Sequence, residues 1–276
     1  MANRDHMNLR ETFDEQGFLT EVEVLPPERA EYYAGKCTAF IDSYSAHPSF
    51  SEWTYYRTEL VLQWVAELAA ENAILDIVEA LIGPDILLWN AFLPAKPPKT
   101  EAHFGWHQDA TYWPVAPTEQ IVSAWVALSP VDQRSGGMQM ARGSHLLGPL
   151  THETTYDNAS MLKRGQRITT PVSESTVCNI DLLPGQASFH HTLTLHRSGP
   201  NQSDDWRLGV GFNYVSAEVG PLPGYEDSAM PLRGNVENSR FAFTQAPAAD
   251  LDAIALERYE AALQRQSKRY SDVRKK

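Results

Sequence analysis

A histidine and an aspartate stand two positions apart in the stretch GWHQDATYW, residues 105–113. Side chains at positions i and i+2 of a β-strand point to the same side, so His107 and Asp109 could offer an imidazole nitrogen and a carboxylate oxygen to one metal ion. A hydrogen-bonded pair on the surface of a strand would have the same spacing. The tripeptide alone leaves both interpretations open.

A second segment, residues 187–215, adds another histidine and an arginine. His196 ends an alternating strand, and Arg207 opens the next strand with Gly209 and Gly211 on its own face. Glycine inside a strand often marks open space or a close approach, and here the two glycines predict a vacancy beside the guanidinium. A buried cation beside a vacancy is costly unless an anion fills it, so the segment predicts a carboxylate ligand for Arg207.

Two histidines and one carboxylate leave three adjacent positions open on an octahedral ferrous ion. This facial triad is typical of non-haem iron oxygenases, and the open positions can hold a bidentate 2-oxo acid and dioxygen. Zinc hydrolases use similar ligands, but usually as H-E-x-x-H on a helix, a motif that this sequence lacks.

Several motifs between residues 85 and 215 resemble the phytanoyl-CoA dioxygenase family of iron(II)- and 2-oxoglutarate-dependent oxygenases. They are WHQD (106–109), SAWVAL (123–128), SGGMQMARGSH (135–145), the run from PGQASFHH into LHRSGPN (184–201), and an arginine eleven residues after His196. The resemblance implies a double-stranded β-helix core that uses Fe(II), 2-oxoglutarate and O2.

Carried over by position, the resemblance makes His107, Asp109 and His196 the iron ligands. Arg207 is expected to bind the distal carboxylate of 2-oxoglutarate, with help from the Ser198 hydroxyl. Because the aspartate ligand is present, hydroxylation is favoured over halogenation, in whose enzymes a small residue replaces the carboxylate.

Three more residues are candidates for the cosubstrate pocket. Gln108 and Trp125 are assigned by the resemblance, although strand parity turns Gln108 away from the side of His107 unless the strand bulges. Asn90 is a polar residue in the apolar strand ILLWNAFL and is expected to line the same pocket. Candidates for the substrate pocket, each of which could instead be structural or exposed, are His103, Trp106, Trp113, His190 and His191.

The elements that must position these residues follow from the hydrophobic pattern. The region of about residues 1–84 has apolar residues at helical spacing, whereas about 85–215 is a series of short β-rich runs separated by turn residues. A helical period returns at about 248–270. We therefore predict one domain over residues 1–276, mainly β, with a helical N-terminal layer packed on a jelly roll, that is, a cupin-like double-stranded β-helix.

Composition limits the possible partners and location. The formal net charge is −12, which argues against nucleic acid, and the longest apolar runs are far shorter than a membrane span. The polar N-terminal segment and the two distant cysteines, Cys37 and Cys178, predict a soluble cytoplasmic protein with reduced thiols and a small-molecule substrate.

The predicted function is a dioxygenase that hydroxylates an aliphatic C–H bond of a small metabolite or biosynthetic intermediate, with release of succinate and CO2. Two alternatives are a desaturation or cyclisation on the same iron centre, and a jelly-roll binding protein without turnover.

Overall fold

The computed structural model describes residues 2–44, 56–162 and 165–273. The α-helices in these ranges are α1 (Ala2–Gln16), α2 (Pro27–Tyr44), α3 (Gln63–Ala69), α4 (Asn72–Ile82) and α5 (Ala253–Val273). A proline opens α2, where its fixed φ suits the first helical turn. None of these helices is both long enough and apolar enough to cross a membrane.

Fifteen strands lie in the described ranges, several of them only two or three residues long. They are β1 (Phe18–Glu23), β2 (Ile86–Phe92), β3 (Phe104–His107), β4 (Val115–Ala116), β5 (Ile121–Ala127), β6 (Met138–Ala141), β7 (His152–Thr154), β8 (Gln166–Ile168), β9 (Val177–Ile180), β10 (Gln186–His191), β11 (His196–Ser198), β12 (Gly209–Ser216), β13 (Gly220–Pro221), β14 (Ser228–Arg233) and β15 (Ala242–Phe243).

Two sheets enclose the centre of the protein. The major sheet has the order β1-β10-β5-β12-β2-β14-β15 and the minor sheet the order β3-β11-β6-β9. Their inner faces meet where Trp125 of the major sheet packs with Met140 and Ile180 of the minor sheet. Two facing, largely antiparallel sheets of this kind form the double-stranded β-helix, so the predicted fold class is confirmed.

The outer face of the major sheet is covered by the helical layer. Ala124, Phe189 and Phe212 come from three neighbouring strands and share one apolar core with Tyr33 and Trp64 of the helices. Burying a large apolar side chain contributes about 1.5–3 kcal/mol, so this contact holds the strands that carry the inner face. Because side chains alternate along a strand, the residues between these apolar positions point inward.

The major sheet continues beyond residue 215, where the sequence predicted the core to end. Strand β14 pairs with β2 through Met230 and Leu88, and β15 adds to β14 in parallel. The signal was weak because β14 contains Pro231, and proline usually lowers the expectation of a strand. The prediction of a single domain with its stated boundaries remains a prediction.

A fully buried ionic cluster joins the helical region to the sheet. Arg57 Nε lies 2.7 Å from Glu59 Oε1, and its Nη1 lies 3.4 Å from Asp227 Oδ1. Trp89 Nε1 donates to Asp227 Oδ2 at 2.6 Å, and the Ala91 N–H donates to Glu59 Oε2 at 2.8 Å. The positive charge of Arg57 is therefore balanced by two carboxylates, which are themselves anchored on β2.

Candidate active site

Three predicted metal ligands converge between the two sheets. His107 ends β3 and His196 begins β11, and the two residues are direct partners across this antiparallel pair. Asp109 begins the short 3-10 turn that follows β3. One ligand atom from each side chain lies within 4.8 Å of the others, and Asp109 Oδ1 lies 3.6 Å from Nε2 of each histidine. This arrangement can present three ligands to one ion.

Backbone hydrogen bonds orient both imidazoles. His107 Nδ1 lies 2.8 Å from the Gly105 carbonyl and His196 Nδ1 lies 3.0 Å from the Thr194 carbonyl, so each Nδ1–H can donate to the backbone. That tautomer leaves both Nε2 lone pairs facing Asp109. Burial, followed by the nearby His107, lowers the pKa of His196 to about 3, so His196 is a neutral imidazole able to bind a metal near neutral pH.

The two carboxylate oxygens of Asp109 have different partners. Oδ1 faces the two imidazoles, whereas Oδ2 accepts from Ser123 Oγ at 2.9 Å and lies 3.2 Å from His190 Nε2. Burial opposes ionisation of Asp109, but the neighbouring His196, His107 and His190 outweigh it and hold the pKa of the carboxyl well below its usual range. Asp109 is therefore a carboxylate with one oxygen available to a metal ion.

Asp109 rests on a row of polar side chains that crosses the inner face of the major sheet. Register pairs His190 with Ser123, Ser123 with Asn213, and Asn213 with Asn90, one residue from each of four adjacent strands. Ser123 Oγ lies 2.8 Å from Asn213 Oδ1, and Asn213 Nδ2 donates to Asn90 Oδ1 at 2.9 Å. We call these four residues the polar row.

Arg207 is buried near the triad without a carboxylate partner among the described residues. It is 2% exposed, and its Nη atoms donate to the carbonyls of Gly136 and Pro94. The guanidinium carbon lies 5.4 Å from the centre of the Trp125 ring. Burial lowers the pKa of Arg207 to about 9, which leaves the group charged at neutral pH.

The expected vacancy beside Arg207 is not where the sequence placed it. A Cβ on Gly209 would lie 2.1 Å from the Trp125 ring, and a Cβ on Gly211 would lie 2.2 Å from the Phe92 ring. The glycines therefore admit two aromatic rings from the neighbouring strands rather than a ligand. The prediction of open space at these positions was wrong, since a sequence does not show which ring crosses to fill a glycine gap.

Lys96 is a site residue that sequence reasoning missed. Its amino group is fully buried, and Nζ lies 2.7 Å from Ser198 Oγ and also contacts the Gly199 carbonyl. The only signal in the sequence is a single lysine in the otherwise apolar and proline-containing run FLPAKPP. Lys96 thus joins Ser198, which was predicted to bind the cosubstrate, to the segment that follows β2.

Several buried polar atoms on the inner face have no hydrogen-bond partner among the residues that the structure describes. They are Asn90 Nδ2, Ser188 Oγ, His190 Nδ1 and Arg207 Nε. Buried donors without partners are uncommon, and a group of them around a triad of metal ligands fits a polar ligand that binds here. The donor set of two imidazoles and one carboxylate fits Fe(II).

A family model described as phytanoyl-CoA dioxygenase matches residues 13–209, which is well over half of the chain. The chain belongs to this family. Phytanoyl-CoA dioxygenase from Homo sapiens is 28% identical over 149 residues, covering 52% of this chain and 44% of that protein. The chain thus spans less than half the length of this curated family member.

Two solved structures of similar proteins extend the comparison. A non-heme monooxygenase, ThoJ, is 32% identical with a TM-score of 0.87, covering 97% of this chain and 100% of its own, and it has also been solved as a nickel complex. The epimerase SnoN, solved with Fe3+ and alpha ketoglutarate, is 22% identical with a TM-score of 0.64, covering 85% of this chain and 98% of its own. SnoN shares the fold of the family.

Gln108 does not point into the site, which corrects its assignment to the cosubstrate. Its Nε2 donates to the carbonyls of Gly148 and Leu193 at 2.9 Å, and its Oε1 accepts from the Leu150 N–H at 2.8 Å. The strand parity that conflicted with the assignment is therefore observed. Through these hydrogen bonds Gln108 holds the loop between β6 and β7 in place.

The structure separates the two adjacent histidines of β10. His190 faces the inner side and contacts Asp109, whereas His191 faces α1, near Phe13 and His145. Burial, and then His145, lowers the pKa of His191 to about 4. His191 is therefore not part of the wall around the triad.

Three other pocket candidates lie away from the triad. Half-buried His103 forms an ion-pair contact with Asp157 at 3.3 Å. Trp106 alternates with His107 and lies on the outer face of the minor sheet, under Arg197 and beside an open cleft of about 400 Å³. Trp113 packs edge-on against Trp89 at 4.9 Å, within an apolar cluster. The assignments of Trp106 and Trp113 to the substrate pocket are corrected to these positions.

His152 is a second residue that sequence reasoning missed. Its Nε2 accepts from the Gln108 N–H at 3.0 Å, and its Nδ1 lies 2.9 Å from the Leu150 carbonyl. Burial lowers its pKa, and His107 contributes. His152 supports the chain between the two ligands of the H-x-D motif. Nothing in the surrounding THETTY sequence indicates this role.

Proposed function

We propose that this chain is an Fe(II)- and 2-oxoglutarate-dependent dioxygenase that hydroxylates an aliphatic C–H bond of a small molecule. The observation that carries the proposal is the presence of the buried triad His107–Asp109–His196 together with Arg207, a buried cation that has no acidic partner in the described ranges. A metal ion alone would not need Arg207. A 2-oxo acid with a second carboxylate would use both the metal held by the triad and the guanidinium of Arg207.

In this proposal different side chains bind the metal ion and the cosubstrate. The triad binds iron through His107 Nε2, His196 Nε2 and Asp109 Oδ1, and Arg207 and Ser198 bind the distal carboxylate of 2-oxoglutarate. Iron(II) held by these ligands would supply the activation of O2, with one oxygen atom going to succinate, the other to the product, and CO2 released. The protein holds these groups in position and excludes water from them.

Asn90 and Trp125 are proposed to line the same cavity. Asn90 offers an unpartnered amide N–H on the inner face, and Trp125 supplies a wall beside Arg207. Asp109 occupies the metal position that a halide would need, which supports hydroxylation over halogenation. The substrate class is a small organic molecule with an accessible aliphatic carbon.

Succinate formation tests the proposal. Protein stripped of metal by chelation is supplied with iron(II), 2-oxoglutarate, O2 and one candidate substrate from a panel of small molecules. Succinate is then measured in the complete mixture and in mixtures from which iron(II), 2-oxoglutarate or O2 is left out. We expect turnover to depend on all three. Nickel(II) is expected to bind the triad without supporting oxygen chemistry.

Product mass separates the possible reactions. A gain of one oxygen atom indicates hydroxylation, whereas a loss of two hydrogens indicates desaturation or cyclisation. Absence of succinate under every condition would indicate a binding protein, and full activity with zinc alone would contradict the oxygenase proposal.

A further inference from the structure

Lys96 and Arg207 are partners across a short antiparallel bridge. The N–H of each residue donates to the carbonyl of the other at 3.0 Å. Both side chains are buried, with Lys96 0% and Arg207 2% exposed. Two like charges on directly opposed residues repel each other, so it is unfavourable for both side chains to be charged in the absence of an anion.

No carboxylate in the described ranges pairs with either of these two side chains. None of the ion pairs there includes Lys96 or Arg207, and both groups rely on hydroxyl and carbonyl oxygens. Arg57 provides the contrast within the same protein, because its burial is matched by Glu59 and Asp227. Buried charge without a counterion is costly, so an anion supplied by a ligand would stabilise Arg207 and would allow Lys96 to be charged as well.

The contact with Ser198 shows how Lys96 acts. A hydroxyl has one proton to donate and two lone pairs that accept. With Lys96 Nζ donating to Ser198 Oγ at 2.7 Å, the hydroxyl proton is left for another acceptor. The phenyl ring of Phe104, whose centre lies 5.8 Å from Lys96 Nζ, covers one side of the contact between Lys96 and Ser198.

We propose that Lys96 is a positioning residue for the distal carboxylate of the 2-oxo acid cosubstrate. It holds the Ser198 hydroxyl as a donor to that carboxylate and, together with Arg207, makes the site select 2-oxo acids with a second negative charge. This inference rests on the proposed function of the triad.

Ligand binding should change the protonation of Lys96. Burial, and then the neighbouring Arg207, lowers the pKa of Lys96 to about 5, so the side chain is uncharged near neutral pH before the cosubstrate binds. A bound carboxylate raises that pKa, so one proton is taken up with the ligand. Between the free and bound pKa values, affinity decreases as pH rises, by up to about tenfold per pH unit.

The first experiment uses titration calorimetry on the nickel(II)-loaded protein, in which no turnover occurs. The probes are 2-oxoglutarate and 2-oxopentanoate, which has a methyl group in place of the distal carboxylate. In Lys96→Met we expect the preference for 2-oxoglutarate to fall by about tenfold to a hundredfold, as for loss of a hydrogen bond to a charged group. Affinity for 2-oxopentanoate should be unchanged or higher.

Lys99→Met is the matched control. Lys99 lies three residues away and pairs with Asp204 at the surface, so its replacement should leave the preference unchanged. An unchanged preference in folded Lys96→Met, with 2-oxoglutarate still bound tightly, would overturn the role of Lys96 and leave the proposed function intact. Failure of the parent protein to bind any 2-oxo acid would instead overturn the proposed function.

The second experiment needs no variant, so it stands even if Lys96→Met does not fold. The binding enthalpy of 2-oxoglutarate is measured at one pH in buffers of different ionisation enthalpy. We expect uptake of about one proton per ligand in the parent protein, and none for 2-oxopentanoate. Equal proton uptake for the two ligands would contradict the proposal.

Discussion

At the scale of single residues, the two oxygens of Asp109 explain how one carboxylate can leave room on a metal ion. Ser123 and His190 occupy Oδ2, so Oδ1 is the oxygen that faces the imidazoles. A carboxylate held in this way would bind a metal ion through one oxygen, which would leave room for a chelating 2-oxo acid.

Replacing Asp109 by glycine should abolish most turnover without unfolding the protein. The change removes one of the three proposed metal ligands, and we expect succinate formation at saturating iron to fall by at least about a hundredfold, beyond the loss typical of residues that only orient ligands. The measurement is succinate per enzyme, with circular dichroism as the test of folding. Asp204→Ala, at an exposed site, is the control. A folded Asp109→Gly protein that works at the parent rate would refute the ligand assignment.

Replacing Arg207 by alanine should weaken 2-oxoglutarate binding far more than substrate binding. Loss of a buried, charge-assisted pair costs about 2–5 kcal/mol, or roughly thirtyfold to several thousandfold in affinity. Arg207→Lys should restore only part of it, because an ammonium lacks the planar fork.

The apparent KM for each ligand, measured with the other saturating, gives the comparison. Arg197→Ala is the control, since Arg197 lies on the outer face of the minor sheet over Trp106. If both KM values rise equally in Arg207→Ala, the distal carboxylate binds elsewhere.

Strand alternation made His107 and Asp109 a candidate pair, and the resemblance added His196 to complete the predicted triad. Lys96 and His152 could not be found in this way. Each acts through contacts with residues more than 40 positions away, and neither lies in a recognisable motif. Gln108 shows the opposite case, where simple parity was a better guide than the resemblance.

At the scale of elements, the glycines of β12 set how closely its neighbours approach. The Trp125 ring crosses Gly209 and the Phe92 ring crosses Gly211, and Trp125 also covers the guanidinium of Arg207. The alternating pattern of the sequence predicted the strand. Which ring fills each gap depends on the register of β5 and β2 against β12, and that is set by contacts distant in sequence.

Adding a methyl group at Gly209 should therefore damage both stability and cosubstrate binding. In Gly209→Ala the Cβ would lie 2.1 Å from Trp125, and overpacking of this kind costs about 1–3 kcal/mol. Displacement of the ring should also raise the KM for 2-oxoglutarate. Urea unfolding and steady-state kinetics measure the two effects.

Gly35→Ala is the matched control for Gly209→Ala. Gly35 lies in α2, and no neighbouring atom lies within 4 Å of the place that an alanine Cβ would take, so alanine should be neutral or stabilise the helix by about 0.5–1 kcal/mol. Equal stability of the two variants would mean that the packing of the Trp125 ring does not require a glycine at position 209.

At the scale of the whole molecule, two groups of buried polar contacts help to fix the helical layer relative to the sheets. The ionic cluster of Arg57, Glu59 and Asp227 ties the start of the helical segment at Thr58 to β14 and β2. At the other end of the layer, the Gly17 carbonyl after α1 accepts from the N–H of His191 and from Thr194 Oγ1 at 2.7 Å. Periodicity predicted the helices but not these polar anchors, which join distant parts of the chain.

Removing Arg57 should destabilise the whole domain. Arg57→Ala leaves two buried carboxylates without their cation, and breaking a buried pair in this way costs about 3–5 kcal/mol. The expected result is a lower urea midpoint in unfolding followed by circular dichroism. Arg134→Ala removes an exposed ion pair with Asp204 and should not shift the midpoint measurably. Equal midpoints for the two variants would show that the cluster does not hold the layers together.

The polar row also bears on how the chain assembles. A slip of β5 by one residue against β12 would turn Ser123 toward the helices, away from Asn213, and carry Ala124 inward. Each polar group buried without a partner costs about 1–3 kcal/mol, so a mispaired sheet would be penalised at every strand the row crosses. The side chains that hold the carboxylate in place thus also reject wrong strand pairings while the protein folds.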